Sequence, residues 1–270
     1  KQSWPNTEGG IFMQSIDFIK RLKERLFIEF SKQDRSGVYG YTQRTMAYNS
    51  NRIEGSTLTE KQTASIFETG TVYSDDPDTI FRTKDIEEMT GHFKMFNYTL
   101  NHLDEPLSET FICGMHRNLK EGVFEDIANG YAIGAYKTRA NRVSDITTAL
   151  PQEVPGRMRE LLESYHKKSE LTILDIAKLH AEFETIHPFQ DGNGRVGRMI
   201  LFKECLCHNL IPVLIRNENK TEYIRRLNEA QIHQNFDGLV SYFKEEQKHY
   251  FKETAPMIFD YRELPELHMD

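Results

Sequence analysis

Twelve consecutive residues, from His187 to Arg198, carry most of the groups in this chain that could do chemistry, and they read His-Pro-Phe-Gln-Asp-Gly-Asn-Gly-Arg-Val-Gly-Arg. His187 can accept a proton near neutral pH. Asp191 offers the hard carboxylate oxygen that Mg²⁺ prefers. The guanidinium groups of Arg195 and Arg198 suit phosphate oxygens. The stretch therefore predicts a base beside a metal-bound di- or triphosphate.

Two predicted helices must position these groups. The first ends near His187, because the residue before Pro188 is pushed out of the α region. The second begins after Gly192-Asn193-Gly194 and carries both arginines on one face. Glycines allow a ligand to approach the backbone, and the N–H groups of a helix N-terminus favour anions. The buried face of the first helix is marked at spacings of three and four by Ile176, Leu179, His180, Phe183 and Ile186.

Each of these features has a structural explanation when it is taken alone. A histidine near a helix end is more often structural, an Asp-Gly-Asn-Gly sequence is usually only a turn, and two arginines on a helix face are usually solvated. Their occurrence together within one short stretch favours a functional site.

The stretch resembles the signature of the Fic family, His-x-Phe-x-Asp/Glu-Gly-Asn-Gly-Arg-x-x-Arg, at every defined position. Fic enzymes typically transfer AMP from ATP to a hydroxyl group of a protein. The resemblance implies that His187 is the general base, that Phe189 anchors the loop in the core, and that Asp191 holds Mg²⁺ on the α- and β-phosphates.

The same resemblance assigns the remaining loop residues to the nucleotide. Gly192, Asn193 and Gly194 would form an anion hole, Arg195 would bind the β-phosphate region and Arg198 the γ-phosphate. Doc relatives, which transfer phosphate, replace the second glycine of the loop with lysine. Gly194 is intact in this chain, which favours nucleotidyl transfer.

A predicted helix over about residues 41–55 ends in Ser50-Asn-Arg-Ile-Glu54-Gly55. Ser50 and Glu54 share one face, and Gly55 is a natural C-terminal stop. The pattern alone is typical of an ordinary polar face with a glycine cap. It also resembles the inhibitory motif Ser/Thr-x-x-x-Glu-Gly/Asn of the Fic proteins whose inhibitory helix precedes the catalytic loop. The resemblance implies that Glu54 pairs with Arg198 and occupies the position that the γ-phosphate needs.

Residues 134–144 interrupt the helical pattern and predict a small β-hairpin, with a plain surface loop as the alternative. The region resembles the flap over the active site of Fic proteins, where an extended target segment can pair with the flap edge. Further along, Tyr223 and Asn228 resemble residues that line the adenine pocket in many Fic proteins. Core packing is the alternative for both.

The fold class that we expect is mainly α-helical, with one small hairpin flap over the active site. We expect an N-terminal helical region over residues 1–80, which includes the inhibitory helix, a Fic catalytic domain over residues 81–250 and a C-terminal tail over residues 251–270. This division follows the family resemblance: the inhibitory motif lies in the N-terminal region, and the signature lies in the catalytic domain.

Composition limits the classes of function. The net charge of −7 argues against a protein that binds nucleic acid through bulk positive charge. No run of about 18 apolar residues predicts a membrane helix, and no secretion signal is visible. The three cysteines, Cys113, Cys205 and Cys207, have no disulfide-like or zinc-like spacing. We therefore expect a cytoplasmic protein with no membrane and no nucleic-acid partner.

The expected function is a protein adenylyltransferase that uses ATP and Mg²⁺ to modify a Ser, Thr or Tyr hydroxyl of a target protein or of itself, restrained by Glu54. Three alternatives remain open: removal of AMP from a modified protein, transfer from another nucleotide or phosphate donor, and a non-catalytic adaptor that binds nucleotide. A homodimer is also left open.

Overall fold

The computed structural model describes residues 8–141 and 148–259. Within these residues the chain forms eleven α-helices and one 3₁₀ turn (Asn217–Asn219), and it contains no β-strand. The helices are α1 (Glu8–Ser31), α2 (Val38–Ile53), α3 (Glu60–Thr69), α4 (Thr83–Asn101), α5 (Glu109–Lys120), α6 (Phe124–Ala128), α7 (Val154–His166), α8 (Ile173–Ile186), α9 (Asn193–Cys207), α10 (Lys220–His233) and α11 (Asp237–Ile258). The mainly helical fold is confirmed.

Helix α9 lies at the centre of the fold. Thirteen of its fifteen residues are buried, and it packs against α2, α4, α5 and α8. Helix α8 precedes α9 in the chain and packs beside it. The loop from 187 to 192 therefore connects two helices that are both packed in the core. A rigid connection of this kind is the support that a precise binding loop needs.

One hydrophobic core joins helices from both ends of the chain. It contains Phe18 of α1, Phe96 of α4, Phe202 of α9 and Phe251 of α11. The rings of Phe18 and Phe251 lie 4.7 Å apart edge to face. Residues 8–80 and 81–250 therefore share a core, rather than packing as separate units.

The hairpin predicted over residues 134–144 is not seen in the part of it that the structure describes. Residues 134–141 form no strand, and residues 142–144 lie outside the described residues. The N–H of Lys137 donates to the carbonyl of Pro188 in the loop at 2.8 Å. The side-chain amide of Asn141 donates to the carbonyl of Phe189 at 2.9 Å.

The C-terminal helix is longer than predicted. Helix α11 continues to Ile258, past residue 251, where the tail was expected to begin. Phe251 and Ala255 are buried on its inner face, and this apolar burial outweighs the presence of Pro256, which removes only one hydrogen bond near a helix end. Residues 260–270 lie outside the described residues. No helix in the described ranges has the length and apolar character needed to cross a membrane.

Candidate active site

His187 lies directly after α8, in the left-handed conformation that ends this helix, with φ 52° and ψ 62°. Its N–H donates to the carbonyl of Phe183 at 2.9 Å. The side chain is 16% exposed, and among the described residues Nδ1 has no hydrogen-bond partner. Burial, and then the charge of Lys137, lower the pKa of His187 to about 4. The imidazole is therefore neutral at pH 7 and can accept a proton.

Two buried aromatic rings, those of His116 and Phe189, hold the loop from 187 to 192 against the core. Phe189 is fully buried and stacks on His116 with 3.9 Å between ring centroids. Nδ1 of His116 accepts the N–H of Gly134 at 2.9 Å. Nε2 is thus the protonated nitrogen, and it donates to the carbonyl of Asp191 at 3.0 Å. The anchoring role predicted for Phe189 agrees with this packing, whereas His116 was not predicted as a support of the site.

Asn193 closes the loop on itself. Its side-chain oxygen accepts the N–H of Phe189 at 2.7 Å, and its side-chain nitrogen donates to the carbonyl of the same residue at 2.8 Å. The Asn193 side chain is 1% exposed. It therefore shapes the loop, and the group that it can offer to an anion is its backbone N–H.

The first turn of α9 presents the anion site that the glycines predict. Gly192 caps this helix with a φ of 85°, a conformation that favours glycine. The hydrogen bond from the N–H of Val196 to the carbonyl of Gly192 closes the first turn. The N–H groups before it, from Asn193 to Arg195, point out of the helix end and carry its partial positive charge.

A carboxylate already lies against this helix end. A Cβ atom at Gly194 would overlap the Glu54 carboxylate. Oε1 of Glu54 accepts a hydrogen bond from Nη2 of Arg198 at 2.6 Å. Nε of Arg198 donates to Oγ of Ser50 at 2.9 Å. The predicted pairing of Glu54 with Arg198 is thus present, and Ser50 shares the same guanidinium.

The Glu54–Arg198 pair is charged and only partly solvated. The side chain of Arg198 is 5% exposed and that of Glu54 is 36% exposed. Burial raises the pKa of Glu54, but the charges of Arg198 and then Arg195 outweigh it, so that the pKa lies below its usual value. Glu54 is therefore ionised at neutral pH, in the position where a phosphate would be attracted.

Asp191 faces solvent beside two further carboxylates. Asp191, Glu88 and Asp126 each offer an oxygen, and these oxygens lie within 4.8 Å of one another. Oxygen donors of this kind suit Mg²⁺. Asp191 is the most exposed of the three, at 35%. Burial raises its pKa, but Arg195 and Lys120 lower it more, and Asp191 is ionised. The donor set fits the metal that the sequence predicts.

The other predicted ligands lie deeper in the structure. Arg195 is 2% exposed, and its Nη1 lies 2.6 Å from Oε2 of Glu88. The hydroxyl of Tyr223 lies 2.8 Å from Nε2 of His180, and Tyr223 is 2% exposed. Asn228 is partly exposed on α10. The structure thus brings His187, Asp191, the glycine turn, Arg198, Ser50 and Glu54 together, while Tyr223 packs in the core below them.

Comparison with known proteins agrees with this geometry. Residues 106–204 match the model of the Fic/DOC family. The chain is 28% identical over 186 residues to the protein adenylyltransferase Fic of Nematostella vectensis, covering 68% of this chain and 42% of that protein. It is 31% identical over 129 residues to a probable protein adenylyltransferase of Aquifex aeolicus, covering 47% of this chain and 38% of that protein.

Solved structures share the fold. A Fic domain containing signaling protein from Bacteroides thetaiotaomicron superposes with a TM-score of 0.70 at 23% identity, covering 91% of this chain and 100% of that chain. Fic-1 from C. elegans superposes with a TM-score of 0.65 at 21% identity, covering 92% of this chain and 73% of that chain.

The helical fold is that of solved Fic structures. This chain contains a Fic/DOC domain, which the family match places over residues 106–204. The chain spans less than half the length of the curated relatives that it matches, for example 42%, 36% and 38% of three of them.

Proposed function

We propose that this protein is an adenylyltransferase that transfers AMP from ATP to a Ser, Thr or Tyr hydroxyl of a protein and that Glu54 restrains it. One observation carries the proposal: a neutral, partly buried His187 lies beside a helix N-terminus whose anion site is occupied by the carboxylate of Glu54. Relatives named as protein adenylyltransferases, such as that of Nematostella vectensis, support the same reaction.

His187 supplies the base. Its neutral imidazole takes the proton of the target hydroxyl, and the hydroxyl oxygen forms a bond to the α-phosphorus of ATP. The bond between the α-phosphorus and the bridging oxygen to the β-phosphate breaks, and pyrophosphate leaves. The proton on His187 then passes to solvent. The low pKa of His187 keeps the base unprotonated over the whole physiological range.

The phosphates are held by groups that are already in place. The N–H groups of the first turn of α9 and the guanidinium of Arg198 receive the polyphosphate, and Arg195 adds positive charge behind them. Asp191 would hold Mg²⁺, which neutralises charge on the α- and β-phosphates when it is bound. Most of the catalysis would come from positioning and charge stabilisation.

Glu54 inhibits by competing for the phosphate position. Its carboxylate pairs with Arg198 at 2.6 Å, and it lies against Gly194, at the helix end where the γ-phosphate would bind. ATP must then bind in a different pose, in which the α-phosphate is not aligned for attack. A charge-assisted pair of this kind contributes about 1.5–3 kcal/mol, which is enough for strong inhibition.

The nucleotide base and the target protein have their own proposed contacts. Tyr223 and Asn228 border the adenine pocket, and the segment from 134 to 144 receives the target by backbone pairing.

The three cysteines are free thiols in the structure, which fits a reducing compartment such as the cytoplasm. A homodimer is compatible with the domain and is proposed only by analogy with other inhibited Fic proteins.

Label transfer from α-³²P-ATP with Mg²⁺ tests the proposal on three proteins: wild type, Glu54→Gly, and Glu54→Gly with His187→Ala. We expect strong labelling only for Glu54→Gly, on itself or on a protein of the lysate. Labelling from γ-³²P-ATP instead would identify a phosphotransferase. If none of the three proteins transfers label although ATP binds, the transferase proposal is wrong, and removal of AMP from a modified protein becomes the function to test.

A further inference from the structure

Lys120, the last residue of α5, places its ammonium group in a buried ring of carboxylates. Nζ lies 2.5 Å from Oε1 of Glu88, 2.6 Å from Oδ2 of Asp126 and 2.7 Å from Oδ2 of Asp191. The Lys120 side chain is 1% exposed. The contacts with Glu88 and Asp191 are hydrogen bonds, whereas Asp126 is an ion-pair partner whose oxygens accept no hydrogen bond among the described residues. Neither the fold nor the proposed reaction explains why a lysine is placed here.

The three partners of Lys120 are the same three carboxylates that come within 4.8 Å of one another. They come from separate elements: Glu88 from α4, Asp126 from α6 and Asp191 from the loop before α9. Lys120 thus occupies the space between oxygens that would otherwise suit a divalent cation. One of those oxygens belongs to Asp191, the residue that the proposed function assigns to Mg²⁺.

Local charge decides what can bind at Asp191 in the free protein. Arg195 pairs with Glu88 at 2.6 Å, and Nζ of Lys84 lies 4.0 Å from Oδ2 of Asp191. Lys120 and Arg195 together offset most of the negative charge of the three carboxylates. A divalent cation that arrives alone would meet the Lys120 ammonium beside its ligand oxygen, in a partly buried site where repulsion is poorly screened. A cation that arrives on a polyphosphate brings its own negative charge and further oxygen ligands.

We propose that Lys120 is a positioning residue that stands in for a divalent cation: it fixes the carboxylate of Asp191 in the free protein and keeps free metal from binding there. Metal then enters together with the nucleotide rather than before it. The inference rests on the proposed function in assigning Asp191 to the metal. It concerns binding to the free protein, however, and can be tested without any transfer reaction.

Binding of Mn²⁺, followed by the electron paramagnetic resonance signal of the free ion, tests the proposal in the absence of nucleotide. We expect wild type to bind Mn²⁺ weakly alone and at least ~10-fold more tightly with a non-hydrolysable ATP analogue. Lys120→Met should bind Mn²⁺ alone at least ~10-fold more tightly than wild type, a change of about 1.4 kcal/mol. Adding Asp191→Asn to Lys120→Met should remove this gain. Lys94→Met, which removes a half-exposed lysine of α4, should bind as wild type does.

Thermal unfolding gives a second readout. Lys120→Met leaves buried carboxylates without a counter-charge, so we expect a lower Tm that Mn²⁺ raises more than it raises the Tm of wild type. Lys120→Gln, which keeps a hydrogen-bond donor, repeats the comparison. The proposal is overturned if the folded variants bind Mn²⁺ no more tightly than wild type, if both variants stay unfolded in Mn²⁺, or if wild type alone binds Mn²⁺ as tightly as it does with the analogue. Failure of label transfer with these results intact would overturn the proposed function alone.

Discussion

Ser50 of α2 and Glu54, which directly follows α2, share the guanidinium of Arg198, and in the proposed function a nucleotide phosphate competes with them. Replacing Glu54 by Gln keeps the size of the side chain and removes its charge, so the remaining hydrogen bond is about half as strong. We expect Glu54→Gln to raise label transfer about 10-fold over wild type, and less than Glu54→Gly does. Ser50→Ala removes only the hydroxyl that accepts from Nε of Arg198, so it should raise label transfer less than Glu54→Gln does.

The matched control for this series is Glu60→Gln, which removes an exposed carboxylate from α3 and should leave transfer unchanged. Initial rates of AMP incorporation at fixed ATP give the ranking. Equal rates for Glu54→Gln and wild type would show that the charge of Glu54 is not what inhibits.

Glu184 is a buried carboxyl group whose ionisation opposes folding. It is 9% exposed, and its Oε1 has no hydrogen-bond partner among the described residues. Burial raises its pKa to about 8, against a smaller opposing effect of Arg198. Between about pH 4.5 and 8 the folded state keeps a proton that the unfolded state has lost, so the free energy of unfolding falls as the pH rises through this window.

Glu184→Gln removes this ionisation. Relative to wild type, the variant should gain about 2–4 kcal/mol in free energy of unfolding between pH 5 and pH 8. Urea unfolding at four pH values across the window measures the difference. Glu182→Gln, on the same helix with a side chain that is 43% exposed, should track wild type. A difference between Glu184→Gln and wild type that stays constant with pH would contradict a raised pKa.

At the scale of single residues, the sequence predicted the groups within one contiguous motif, and the family resemblance predicted the Glu54–Arg198 pair, but neither predicted Lys120. His187, Asp191 and Arg198 are predicted from their residue types and their spacing. Lys120 meets Glu88 across 32 positions and Asp191 across 71 positions. Nothing in the local sequence pattern distinguishes the buried Lys120 from an ordinary solvated lysine at the end of a helix. Asn193 was predicted as part of the anion hole, but the loop-closing role of its side chain was not predicted.

Helix α2 is part of the core rather than a detachable cover. Eleven of its sixteen residues are buried, and it packs against α1, α3, α4 and α9. Its C-terminal end is also held, because Nζ of Lys220 donates to the carbonyl of Ile53 at 2.6 Å. In the proposed function, release of inhibition would therefore require the Glu54 side chain to move, while α2 stays in place.

Hydrogen exchange measures this distinction. We expect the amides of α2 from about Thr42 to Ile53 to exchange equally slowly in wild type and in Glu54→Gly, since burial and not the Glu54 pair protects them. The first turn of α9 serves as the positive control: its exchange should change, because in Glu54→Gly this turn loses the neighbouring Glu54 carboxylate. Loss of protection across α2 in Glu54→Gly would mean that the whole helix is released.

Among the elements, those with local end signals in the sequence are the easiest to predict. Thr59 and Gln62 have the residue types and spacing of a capping box, and they form one before α3. Ser108 caps α5, and Gly55 follows α2 with a φ of 94°. The hairpin predicted over residues 134–144 is not seen over residues 134–141, where the backbone N–H of Lys137 and the side chain of Asn141 instead bind the distant loop at Pro188 and Phe189. Contacts that are made only on folding leave no local signal.

Across the whole molecule, the core under the active site continues to the first and last helices. The predicted division near residue 80 rested on the position of the motifs in the chain. It did not use packing, and packing links the two sides: Phe18 of α1 contacts Phe251 of α11, while Phe96 of α4 lies 5.5 Å from Phe202 of α9. A disturbance at the chain ends should therefore reach the helix that carries Arg198.

Phe18→Ala tests this continuity. Phe18 is fully buried, and its loss should lower the free energy of unfolding by about 3–5 kcal/mol. Because one core is shared, we expect helix content by circular dichroism and hydrogen-exchange protection of α9 to be lost at the same, lower urea concentration. Phe124→Ala, at a ring that is 72% exposed, is the matched control and should change neither. If α9 kept its wild-type midpoint while part of the helix content was lost earlier, the N-terminal helices and the Fic/DOC domain would be separate folding units.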